Sequence, residues 1–139
     1  MFSERCWICA PPEVILSVVK NQKFQEKNAF NACGFTVKET NKGNRCLAYF
    51  GPWMKLEGKL TIESKPDQIK MIGLSDNNNW NICIQIIPLK SGTDVRIDLI
   101  LYGWREKYGK ILSPQIKKRL NTALRLWKSE SEHKTIYAN

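Results

Sequence analysis

The stretch that decides the fold is residues 113–127, SPQIKKRLNTALRLW. Ser113 can accept hydrogen bonds from the free amides at a helix start, and Pro114 suits the first helical position, where its missing N–H would be unpaired anyway. The apolar residues recur every three or four positions, which places one stripe on a helix: Ile116, Leu120, Ala123, Leu124 and Trp127. The pattern predicts a long C-terminal helix that begins at Ser113 and lies on an apolar surface.

Basic residues follow one edge of that stripe. At about 100° per residue, one shoulder of the helix collects four cations and an amide: Lys117, Lys118, Asn121, Arg125 and Lys128. Between Trp104 and Lys128 there are eight basic residues against Glu106 alone, within a chain of net charge +9. Such an excess attracts phosphate, carboxylate, nucleic acid or an anionic membrane, or it only keeps the surface soluble, and its sign does not choose among these.

Length and composition indicate one domain spanning residues 1–139. The chain is 42% hydrophobic, enough for a single core and too short for two ordinary domains. No stretch approaches the ~20 apolar residues that span a bilayer. Glu4 and Arg5 come at once, and no apolar run of signal length follows them, so we expect a cytoplasmic protein with no transmembrane segment.

The rest of the chain supplies strands. Residues 2–9 favour a strand, which a proline pair stops before a short helix that ends near Asn21. A second helical pattern covers residues 22–31. Beyond Gly34 the apolar period becomes two, in six runs separated by turns, at about 35–38, 45–50, 53–64, 68–74, 80–87 and 95–101. Residues 104–112 are expected to form a basic, aromatic connection into the closing helix.

The predicted fold is α+β, with a curved antiparallel sheet of about seven strands wrapped around the C-terminal helix and two short helices after the first strand. This order resembles the helix-grip fold of the START and SRPBCC superfamily, which includes lipid-transfer domains, polyketide cyclases and aromatases, and pollen-allergen-like carriers. The most specific local match is residues 8–15, ICAPPEVI, which is similar to the strand-Ala-Pro-x-x-Val opening of SRPBCC proteins. The turn at 41–44 departs from the glycine-rich loop of the pollen-allergen-like members, since it holds one glycine.

The resemblance implies an apolar cavity between sheet and helix. The residues expected to surround a ligand there are Met54, Leu56, Leu60, Met71, Ile84, Ile97, Leu99, Leu120, Leu124 and Trp127. An acidic or phosphate head would meet Lys117, Arg125 or Lys128. We therefore expect non-catalytic binding or transport of a hydrophobic molecule of the lipid, fatty acid or acyl-coenzyme A type, by a monomer or homodimer without a cofactor. The aromatic residues could equally fill a core.

Two other functions stay open. A cyclase or aromatase would need one or two polar groups in the same cavity, such as Glu4, Tyr49 or Tyr102. A binding module would use the basic helix shoulder for an anionic membrane or nucleic acid, although the pattern favours a small molecule over nucleic acid as the partner.

The cysteines and the histidine do not suggest a metal or catalytic site. Cys6 and Cys9 lie three apart on a predicted strand, so their sulfurs should point to opposite faces, and no second Cys or His pair could complete a zinc site. His133, the only histidine, is expected in a polar tail after the helix, which removes most Ser-His-Asp and Cys-His schemes. We expect most of the five cysteines to be buried thiols.

Overall fold

The computed structural model of the protein describes residues 1–28, 33–41, 43–50, 55–76 and 79–138. Strand β1 (Phe2–Ile8) is followed by helices α1 (Pro12–Val19) and α2 (Gln22–Asn28). Six strands then follow, and helix α3 (Gly103–Ala138) ends the chain. The six strands are β2 (Cys33–Thr40), β3 (Gly43–Phe50), β4 (Lys55–Lys65), β5 (Gln68–Ser75), β6 (Trp80–Pro88) and β7 (Thr93–Leu101). The predicted α+β class, with a curved antiparallel sheet and a long C-terminal helix, is confirmed.

The sheet curls because its two edge strands meet the same helix. The strand order is β1-β7-β6-β5-β4-β3-β2, and every neighbouring pair is antiparallel. Strand β1 thus forms one edge and β2 the other. Helix α3 contacts β1, β2 and β7, and it also packs on α1. The right-handed twist that strands share allows such a sheet to wrap around a helix.

The inner face of the sheet is apolar with the predicted alternation. Strands β6 and β7 bury every second residue, and the intervening residues are half-buried on the outer face. The stripe of α3 packs against this inner face, and its members are at most 1% exposed: Ile116, Leu120, Ala123, Leu124 and Trp127. The stripe predicted from the sequence is therefore the buried side of the helix.

Trp80 fills the inner face where two strands carry glycine. A Cβ built at Gly73 would lie 3.3 Å from the Trp80 ring and 2.7 Å from Ile82 Cγ2. A Cβ at Gly58 would lie 3.0 Å from the same ring and would collide with the Leu74 carbonyl. These two glycines leave room for the Trp80 indole, because a side chain at either position would occupy the same volume.

The predicted start and end of the C-terminal helix are wrong. Helix α3 begins at Gly103, includes the expected connection at 104–112, and holds Pro114 inside it. An interior proline costs roughly 3 kcal/mol, whereas burial of four large apolar side chains of the stripe contributes roughly 6–12 kcal/mol. Packing therefore outweighs the proline. His133 lies within the helix rather than in a tail, and its side chain is exposed.

Helix α3 is 36 residues long. Its length does not make it a membrane span, since no helix among the described residues combines sufficient length with sufficient apolar character.

Removing the Trp127 side chain, the largest on the buried stripe of α3, should strongly destabilise the protein. Trp127→Ala should lower the free energy of unfolding by about 3–5 kcal/mol, because it leaves a large cavity beneath the helix. Ile136→Ala on the same helix is the matched control: Ile136 is 70% exposed, and its loss should cost less than about 0.5 kcal/mol. Urea denaturation followed by circular dichroism measures both, and equal costs would contradict the position of the stripe.

Candidate ligand-binding site

The predicted lining residues form the interior between the sheet and α3. Among the described side chains, the buried ones are Leu60, Met71, Ile84, Ile97, Leu99, Leu120, Leu124 and Trp127, all between 0 and 4% exposed. Four of them, Met71, Ile97, Leu99 and Leu120, have no exposed surface and so contact protein atoms on every side. Met54 lies outside the described residues. Leu56 lies on β4, and its side chain is outside the described part.

The interior is less tightly covered beside the edge strand β1. The inward residues of β7 are fully buried, whereas the inward residues Phe2, Glu4 and Cys6 of β1 are only half-buried. These three side chains lie on the face of β1 that packs towards α3. We call this line of contact, Phe2, Glu4 and Cys6 of β1 with Lys117 and Lys128 of α3, the β1–α3 seam.

Lys117 is one of the two shoulder cations that reach the seam. Its ammonium lies 3.9 Å from Glu4 Oε1, with 69% of the Lys117 side chain exposed against 16% of the Glu4 side chain. The carboxylate is thus mostly covered and the ammonium mostly solvated. A partly exposed pair of this kind contributes roughly 0–1 kcal/mol, so a competing anion can displace Glu4 from Lys117 at little cost.

Lys128 reaches the other end of the seam. Its ammonium donates to the Trp7 carbonyl at 3.2 Å and to Glu132 Oε1 at 2.7 Å, and it lies 5.3 Å from the centre of the Trp7 ring. Gly92, in the β6–β7 turn, also packs against the Trp7 ring, since a Cβ built at this glycine would lie 2.6 Å from Trp7 Cζ2. The indole therefore bridges the β6–β7 turn and α3. By binding the Trp7 carbonyl, Lys128 also covers the free edge of β1.

Arg125, the third predicted head-group residue, does not join these contacts. It is exposed, as is Lys118, and neither has an ion pair recorded with the described residues. The structure therefore brings Lys117 and Lys128 to β1 and leaves Arg125 on the solvent side of the helix.

Three polar groups were considered for catalysis, and the side chains of two of them, Glu4 and Tyr102, are described. Glu4 points towards α3, as its burial and its contact with Lys117 indicate. Tyr102 is 40% exposed, and its hydroxyl accepts a hydrogen bond from Asn81 Nδ2 at 3.0 Å, on the surface. Tyr49 lies on β3, and its side chain is outside the described part of the chain.

The described cysteines are free thiols in different surroundings. Burial raises the pKa of Cys46 to about 11, and it also raises the pKa of Cys6 and of Cys83. Cys9 follows the end of β1 and is exposed. Within the described residues, no group of three or more His, Cys, Asp or Glu side chains is arranged to hold a metal ion.

A second concavity lies at the end of the sheet, outside the predicted site. It has a volume of about 290 Å³ and lies between the β1–α1 connection, the β6–β7 turn and the C-terminal part of α3. Its lining includes Cys9, Pro11, Leu89, Gly92 and Thr135. It could not be predicted from the sequence, because its residues come from three distant segments and share no periodicity.

The comparisons with known proteins reveal the fold alone. No family model and no curated protein matches the sequence. Among solved structures, the chain is similar to a hypothetical protein from Sulfolobus tokodaii, at 14% identity and a TM-score of 0.58, over 99% of this chain and 98% of that one. Protein NE0264 from Nitrosomonas europaea is similar at 10% identity and a TM-score of 0.63, over 98% and 96% of the two chains. The KanY protein is similar at 17% identity and a TM-score of 0.59, over 94% and 95%.

The thiols should react in the order of their exposure. At a pH near 8, iodoacetamide should modify Cys9 well before Cys46, because Cys46 is buried and almost fully protonated below its pKa of about 11. Peptide mass spectrometry after short labelling times measures the order. Labelling in denaturant is the control and should make the two thiols react at similar rates. Rapid modification of Cys46 in the native protein would contradict the inward position of β3 residue 46.

Proposed function

We propose that this domain is a START/SRPBCC-like carrier, which binds a hydrophobic small molecule with an acidic or phosphate head between the sheet and α3. The observation that carries this proposal is the β1–α3 seam, where an apolar interior meets two cations. Ligands of the fatty acid or acyl-coenzyme A class have a matching shape, with a long apolar part and an anionic end. The fold of the solved structures similar to the chain agrees with this proposal but does not select a ligand.

The apolar part of the ligand would supply most of the affinity. Each methylene taken out of water contributes roughly 0.8 kcal/mol. Ile97, Leu99 and Leu120 are fully covered, so a ligand chain that lies beside them would need α3 and β1 to move apart or these side chains to repack. The half-buried β1 residues favour the seam as the side that opens, since the inward residues of the neighbouring strand β7 are fully buried.

The head of the ligand would take the place that Glu4 holds beside Lys117. The 3.9 Å separation of Glu4 from Lys117 leaves the ammonium mostly solvated and open to a second anion. Lys128 is more firmly held, by the Trp7 carbonyl and by Glu132, so its role is to close the seam.

Glu4 also favours a second function, catalysis of the cyclase or aromatase kind. An inward, mostly covered carboxylate could remove a proton from a bound polyketide-like substrate, with Lys117 beside it to stabilise the enolate that forms. Turnover of a poly-β-ketone substrate that is lost in Glu4→Gln, while binding remains, would favour this function over simple transport.

A single lysine should control the head-group preference. In delipidated protein, Lys117→Met should weaken binding of cis-parinaric acid about fivefold, as for a partly exposed ion pair worth roughly 1 kcal/mol, and should leave its methyl ester unchanged. Fluorescence titration of the polyene measures both ligands. Lys118→Met is the matched control, because it removes the same charge from the next residue, on the exposed side of α3. It should alter neither affinity.

A bulky substitution in the interior tests separately whether the apolar part of the ligand binds there. Leu124→Trp should weaken the acid and the ester alike, because Leu124 is 1% exposed and has no room for an indole. If neither ligand binds the wild-type protein while a labelled oligonucleotide binds tightly at physiological salt, the carrier proposal is wrong, and the basic side of α3 binds nucleic acid instead.

A further inference from the structure

Three large apolar side chains are exposed around the C-terminal part of α3. Trp7 is 44%, Leu89 53% and Ile136 70% exposed. Two of them lie at the cleft at the end of the sheet, since Leu89 lines it and Gly92 of its lining packs against the Trp7 ring. Ile136 follows Thr135, which lines the α3 side of the cleft, and it points to the solvent side of the helix. Large apolar side chains grouped in this way are typical of interaction surfaces.

Cations lie beside Trp7 and Leu89 and along the solvent side of α3. Lys128 lies over the Trp7 ring, although Glu132 compensates its charge. Lys90 follows Leu89 in the β6–β7 turn and is exposed. At about 100° per residue, Lys118, Arg125 and Ile136 share the solvent side of α3. Lys90, Lys118 and Arg125 form no ion pair within the described part of the chain. Glu13, which follows the lining residue Pro12, is an exposed acid near the cleft.

We propose that this docking face, formed by Trp7, Leu89 and Ile136 with Lys90, Lys118 and Arg125, binds the surface of an anionic lipid bilayer. A tryptophan with one exposed edge suits the boundary between headgroups and acyl chains. Leu89 and Ile136 would enter the acyl region, and the three cations would lie among the anionic headgroups. The inference goes beyond the proposed function, because a protein can dock on a bilayer without carrying a lipid inside.

Charge favours a bilayer over a second copy of the chain. A twofold contact through this face would bring its surplus of cations against the same surplus. Glu132 and Asp94, the latter opposite Trp7, are already paired with Lys128 and Arg5, which leaves Glu13 against three cations. The net charge of +9 adds long-range attraction to any anionic surface. At the other end of the sheet, by contrast, the outer face pairs its charges internally, as in Arg45 with Asp76 at 2.7 Å.

Vesicle sedimentation with matched variants tests the apolar contribution. The wild-type protein should bind vesicles of phosphatidylcholine mixed with phosphatidylserine. Leu89→Ser should weaken this binding about tenfold through loss of the inserted side chain. Leu74→Ser is the control, since Leu74 is 43% exposed on the outer face of β5, far from the docking face, and this change should leave binding unaltered.

The charged contribution has its own matched pair. Lys118→Glu with Arg125→Glu should abolish most binding to the mixed vesicles, and raised salt should weaken wild-type binding. Lys59→Glu with Lys70→Glu changes the net charge equally on the outer face of the sheet and should have a much smaller effect. Brominated acyl chains should quench fluorescence of the wild-type protein more than that of Trp7→Phe.

Several outcomes would overturn the proposal. Absence of vesicle binding would do so directly, as would equal effects of Leu89→Ser and Leu74→Ser. A concentration-dependent dimer that Leu89→Ser abolishes, measured by sedimentation velocity, would make the face a contact between copies.

Vesicle binding that persists when Leu124→Trp has removed parinaric acid binding would support docking independently of the carrier function.

Discussion

The requirement that the apolar stripe of α3 be covered on all sides determines this structure. One flat sheet cannot surround a helix, so the seven strands curl until the two edge strands, β1 and β2, both contact α3. Trp127 and Leu120 then lose all or nearly all contact with water. The same constraint explains the interior proline of α3, because packing along the stripe exceeds the cost of one missing backbone hydrogen bond.

The closure is less complete at β1 than at the centre of the sheet. An edge strand must satisfy the backbone groups along its free side, and here Lys128 donates to the Trp7 carbonyl. The result is a polar contact beside the apolar interior, with Glu4 and Lys117 at a second point along the same line. A surface of this kind can separate at lower cost than a fully apolar one, which favours the seam as the place where a ligand enters.

Much of the fold could be predicted from periodicity. The alternation in β6 and β7 and the stripe of α3 are patterns within single elements, so they can be read from the local sequence alone. The start of α3 could not be predicted, because Ser113 and Pro114 together form a good local start signal and only tertiary packing overrides it. The end of α3 could not be predicted for a similar reason: local signals place His133 in a tail, whereas in the structure it lies within the helix.

The site was less predictable than the fold. Periodicity put Lys117, Arg125 and Lys128 on one shoulder, but it could not say which of them face β1, since that depends on the roll of α3 over the sheet. Pairing with Glu4 and Trp7 separates Lys117 and Lys128 from Arg125. The cleft beside Leu89 and the glycines beneath Trp80 result from contacts between distant segments, which no local pattern encodes.

Isotope-filtered nuclear Overhauser spectroscopy of methyl-labelled protein with decanoic acid would determine whether a ligand binds between the sheet and α3, because it reports which methyl groups lie beside the bound chain. A ligand held between the sheet and α3 should show contacts from its acyl protons to the methyls of Ile97, Leu120 and Leu124, which are buried in the free protein. Contacts confined to the exposed methyls of Leu89 and Ile136 would contradict an interior site and leave only association at the surface.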